Sequence, residues 1–140
     1  MSFRVKSAWI SVITMVIAYG AYVAVVAYGL MEGRRPGLWF LYPLGLYVIC
    51  LTVMQIVLHV IVAARAPDEA KAPQDEREKL ITWKATTVGY YVMIVAVVAT
   101  MASVHLHVGA FHLVNGMFLA LVLAEVVKWS AQIVLFRRGS

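Results

Sequence analysis

The chain alternates long apolar runs with short polar breaks. Four runs approach or exceed the length a helix needs to cross a bilayer: about Ala8–Met31, Leu38–Ala64, Thr82–Ser103 and Val108–Phe136. The fourth carries polar interruptions. Glycine and proline punctuate the first break, Met31–Gly37, which reads as a tight turn. The second break is longer. Arg65 to Gln74 is bracketed by Pro67 and Pro73 and reads as a mobile connection too short for a domain. This pattern predicts an all-α integral membrane four-helix bundle with close antiparallel packing. Residues 1–140 form one domain, and a polar linker at 65–81 joins the second span to the third.

The densest charge run, Asp75-Glu76-Arg77-Glu78-Lys79, opens directly into the third span. Asp75 and Glu78 have capping-box spacing, and acidic residues suit the positive end of a helix dipole. The run therefore predicts a helix start in water. Trp83 and Lys84 follow where that helix should meet the headgroups, Trp as an anchor and Lys by snorkelling outward. A solvated start with an interface anchor explains the run. A docking surface for a soluble partner, or a lid over the polar patch described below, is the sharper alternative. Asp75-Glu76-Arg77, Ile81 and Lys84-Ala85, leading into a span, resemble a stretch of small prokaryotic four-helix membrane proteins in domain-of-unknown-function families. The resemblance covers about a dozen residues, with similar hydropathy elsewhere, and implies a class without a mechanism.

Composition agrees with the pattern: 63% of residues are hydrophobic and 14% charged, far from a soluble globular chain. The net charge of +5 does not indicate nucleic acid, because the basic residues lie at the ends and in the middle break. Arg4, Lys6, Arg65, Lys71, Arg77, Lys79, Lys84, Arg137 and Arg138 predict cytoplasmic termini and a cytoplasmic middle linker. Arg34 and Arg35 dissent, since the first turn should then face outward. The first apolar run is longer than a signal-peptide core and ends without a small-x-small site, so it reads as a retained helix. The expected location is a bacterial inner membrane. Cys50 is the lone cysteine, which excludes quinone-linked disulfide oxidoreductases. The first span holds no carboxylate, unlike small multidrug exporters. The second lacks the Arg and Glu cluster of membrane glutathione transferases.

Small residues suggest where helices meet. Gly116, Ala120 and Ala124 recur every fourth residue as a smooth ridge, favouring self-association or a membrane partner. Gly20 and Ala24 repeat the spacing in the first span, and Gly89 marks a close contact in the third. Tyr19, Tyr22 and Tyr28, with Trp39 and Tyr42, are expected in an outer aromatic belt.

Polar groups inside the spans carry the candidate chemistry. Counting back from Arg137 at about 1.5 Å per residue, Glu125 lies about 18 Å and Lys128 about 13 Å inside. Ionisable groups at such depth face the bundle interior in pairs. Gln55 and His59 share a face at i, i+4 in the second span. With Lys84, Gln132 and the hydroxyls of Ser7, Ser11, Thr14, Thr86 and Thr87, they predict one polar patch in the cytoplasmic half. Helix-to-helix hydrogen bonding, an ion or proton pathway, and a ligand pocket all fit such a patch. At the other end His105, His107 and His112 would hold zinc, copper or nickel if they converged, or serve as interfacial, pH-sensitive side chains. Haem is disfavoured, because His59 lies in the inner half and the other histidines at the outer end. No cofactor and no catalytic residue is predicted. The leading expectation is a non-enzymatic accessory, sensory or scaffolding membrane subunit. A small ion- or proton-coupled transporter or channel, and a metal-binding protein using the outer histidines, are the alternatives.

Overall fold

The computed structural model describes residues 3–107 and 109–138; Val108, the expected start of the fourth span, lies outside them. The protein is all-α and 90% helical. Four helices are long and apolar enough to cross a membrane: α1 (Phe3–Met31), α2 (Leu41–Arg65), α4 (Glu76–Ala102) and α5 (Ala110–Arg138). A five-residue helix, α3 (Pro67–Lys71), sits inside the linker. Short 3-10 turns at Leu38–Phe40 and Ser103–Leu106 precede α2 and follow α4.

Helix limits follow local chemistry more than hydropathy. α4 begins at Glu76, ahead of its apolar run, because Asp75 and Glu78 form a capping box in which the Asp75 N–H donates to the Glu78 carboxylate at 3.2 Å. Pro43 falls in the first turn of α2, where its missing N–H leaves no bond unmade. Pro67 starts α3 for the same reason, so the linker is partly helical where an open connection was expected. The Arg4 guanidinium also ties the linker down, donating to the Ala72 carbonyl at 3.2 Å. His107, at φ 55°, turns the chain between α4 and α5.

The long helices run antiparallel. The starts of α1 and α4 and the end of α5 lie at one end of the molecule, called here the termini end; the turns at 32–37 and 103–107 form the loop end. Arg4 pairs with Glu78, and Arg137 lies 5.6 Å from the Trp9 ring, both at the termini end. Neighbours follow the order α2, α1, α5, α4, with α4 against α5 the most extensive contact and no comparable contact between α2 and α4. The architecture is therefore an open row of four antiparallel helices. Few side chains are fully enclosed, and large apolar residues stay exposed along α2 and α4.

The α4–α5 contact has a compositional cause. Ile81, Ala85 and Gly89 form the buried stripe of α4. A methyl added to Gly89 would lie 2.9 Å from Lys128 Cβ and 3.0 Å from the Ala124 carbonyl. On Gly116 it would lie 2.8 Å from the Thr100 methyl. Ala120 and Ala124 are buried between these points. The Gly116, Ala120, Ala124 ridge thus packs within the chain. Gly20 and Ala24 remain exposed, with nothing within 4 Å of a side chain added at Gly20.

Candidate functional site

Polar side chains gather between α1, α2 and α5 in the termini half. Ser11 and Thr14 are buried on α1 and face Gln55 of α2. The Gln55 amide donates to Thr14 Oγ1 at 2.7 Å and to the Ser11 carbonyl at 3.4 Å, while the Ser11 hydroxyl reaches Gln55 Oε1 at 3.5 Å. The hydroxyls also bond back along their own helix, Thr14 to the Ile10 carbonyl at 2.7 Å and Ser11 to that of Ser7 at 3.2 Å. They therefore meet Gln55 at almost no cost to the helical ladder. One turn further along α2, His59 Nδ1 lies 2.8 Å from the Gln55 carbonyl. A carbonyl only accepts, so Nδ1 carries the hydrogen and Nε2 is an acceptor in the neutral ring.

The charged pair comes from α5. Lys128 Nζ donates to Glu125 Oε2 at 2.5 Å, and the Trp129 indole N–H donates to the same oxygen at 3.1 Å. The ammonium also lies 4.8 Å from the Trp129 ring centre. Glu125 thus carries two donors from its own helix, and Lys128 adds a cation–π contact. The predicted i, i+3 pairing is present.

Two small cavities of 300 Å³ flank Trp129. Ser11, Gln55, His59 and Glu125 line one; Arg4, Thr82, Thr86, Lys128 and Gln132 are among those lining the other. The polar residues thus line two adjoining pockets, with Glu125 on one and Lys128 on the other. Gln132 is buried and donates to Thr82 Oγ1 at 3.4 Å, binding α5 to α4. Lys84 does not join them. It is exposed, because it sits about 100° around α4 from the buried Ala85 position. Arg4, which lines the second pocket with Gln74, pairs with the start of α4, its Nε meeting Glu78 Oε2 at 2.9 Å. Asp75 and Glu78 work as the cap, Lys79 pairs with Glu76 at 2.7 Å, and Arg77 is exposed.

Beyond the polar half the interior is aromatic, which the belt expectation missed. Tyr22 is 4% exposed and Tyr47 8%. With Tyr19 they surround Phe118, whose ring centre lies 5.9, 5.5 and 5.1 Å from Tyr19, Tyr22 and Tyr47. Phe40 and Phe111 extend the cluster toward the loop end at 5.1 Å. The Tyr22 hydroxyl donates to Asn115 Oδ1 at 2.6 Å, so the most buried of these phenols is satisfied. Only Tyr28 and Tyr42 of the five expected belt residues stay largely exposed. The available signal was the i, i+3, i+7 spacing of Tyr19, Tyr22 and Val26 opposite an asparagine at similar depth.

The outer histidines stay apart. His105 lies in the 3-10 turn, His107 at the left-handed position after it, and His112 in the first turn of α5. Among the described residues no three of His, Cys, Asp or Glu come together to hold a metal, so His105, His107 and His112 do not converge. No family model matches the chain, and no curated protein or solved structure matches it.

Proposed function

We propose that this chain is a small integral membrane protein acting without catalysis, as an accessory, sensory or scaffolding subunit. One observation carries that reading: the intramembrane polar groups are satisfied by one another in the termini half, and the interior of the other half is packed with the aromatic cluster around Phe118. A conducting or transporting path needs polar groups continued across the whole thickness. The open row of helices supports the same reading, since its apolar flanks call for lipid or another chain as cover. The bias of Lys and Arg toward the termini end supports cytoplasmic termini. Together with the resemblance of residues 75–85, it supports a bacterial plasma membrane and a homo-oligomer or a membrane partner.

The runner-up is an ion- or proton-coupled site in the pocket lined by His59, Gln55 and Glu125, favoured by the gathering of a carboxylate and an imidazole around one 300 Å³ space. Glu125→Gln in proteoliposomes separates the two. The accessory reading expects no proton or cation flux from either protein, and a loss of about 0.5–2 kcal/mol in stability on breaking the Lys128 pair. Flux present in the parent and abolished by Glu125→Gln, with stability retained, would establish the transport reading instead.

A further inference from the structure

A further cavity belongs to neither polar pocket. A groove of 710 Å³ runs between α1 and α2 in the loop half, from Arg34, Tyr28 and Trp39 at its mouth to Cys50 at its far end. That volume falls within the roughly 300–1,000 Å³ typical of ligand sites. Its walls are almost entirely apolar, and Arg34 supplies the charge. Arg34 lies at the mouth with its guanidinium 5.4 Å from the Trp39 ring centre. Among the described residues the ion pairs are Arg4–Glu78, Lys79–Glu76 and Lys128–Glu125, so Arg34 has no carboxylate partner. Glu32, the single acid of that turn, is engaged by the Tyr28 hydroxyl at 2.6 Å.

We propose that this groove binds one anionic phospholipid of the surrounding bilayer, an acyl chain lying between α1 and α2 and the phosphate resting on Arg34. The inference rests on the membrane reading above. The guanidinium fork matches a phosphate, and its place on the Trp39 face holds it at the mouth. The same contact accounts for Arg34 in the turn that breaks the charge bias: it meets lipid phosphate. Uncharged amphiphiles would leave Arg34 without a counter-charge.

Reconstitution into nanodiscs of equal phosphatidylglycerol and phosphatidylcholine, followed by native mass spectrometry, tests this. The parent should retain one lipid per chain, enriched in phosphatidylglycerol by about fivefold, the worth of one basic side chain near an anionic surface. Arg34→Gln should keep the lipid and lose the enrichment. Ala21→Phe, at an exposed groove-lining position, should lose the lipid with unchanged thermal unfolding. Equal lipid retention in Ala21→Phe and the parent, or undiminished enrichment in Arg34→Gln, would overturn the proposal. So would efficient Cys50–Cys50 cross-linking with no retained lipid, which would make a second copy the occupant. Release of the protein from membranes by alkaline carbonate would instead overturn the membrane reading itself.

Discussion

At the scale of single residues, two phenols of similar burial have opposite circumstances. Tyr22 donates to Asn115, whose amide in turn bonds the Phe111 carbonyl at 2.7 Å. Tyr47 donates to nothing in the protein. Removing one partner of a buried bond costs more than removing a group that made none. Tyr22→Phe should therefore lower stability by about 1 kcal/mol, while Tyr47→Phe should be neutral or stabilising, both read by thermal unfolding in delipidated detergent micelles. A larger loss for Tyr47→Phe would mean its hydroxyl has a partner within the chain. The sequence indicated which residues pair locally. Glu125 with Lys128, and Gln55 with His59, follow from helical spacing alone. It did not indicate that Tyr22 meets Asn115, because those residues are 93 positions apart.

At the scale of helices, the α4–α5 seam holds the row together, and it depends on absent side chains. Gly89 lets the α5 backbone approach at Ala124 and Lys128, and Gly116 accepts Thr100. Without a hydrophobic force between helices in lipid, such close approach is what makes association favourable. Gly89→Leu should separate α4 from α5 at the Glu125–Lys128 level and cost about 1–3 kcal/mol, the usual range for overpacking. Gly20→Leu should change nothing in the monomer, because that position is open. Thermal unfolding of both variants in detergent checks the contrast; equal losses would contradict the packing described. The ridge itself was legible as a repeat of small residues. Its partner was not, since small-residue spacing marks a surface that tolerates close contact without naming the helix that makes it.

At the scale of the whole molecule, the open row and the proposed topology predict which segments face which side. With Cys50 replaced by serine, Gln74→Cys should react with an impermeant maleimide only after cells are opened. Leu106→Cys, exposed at the loop end, should react in intact cells. Labelling of both from one side would rule out four crossings between ordered ends. The openness of the row also leaves the apolar side chains of α2 and α4 uncovered by each other. In a closed bundle they would have covered each other.

Length, hydropathy and capping signals determined by themselves that this protein is helical, that four of its helices are long and apolar, and that α4 starts at a capped, charged turn. These properties depend on bonds and burial within a few residues of chain, so the order of residues contains them. Tertiary structure alone decided that the polar residues divide around Trp129 into two pockets, that Lys84 stays outside them, that the tyrosines turn inward around Phe118, and that the histidines remain apart. Each of those depends on the rotation of one helix against another. In an apolar setting many rotations bury similar area, and the choice falls to small-residue contacts and a few hydrogen bonds between distant positions.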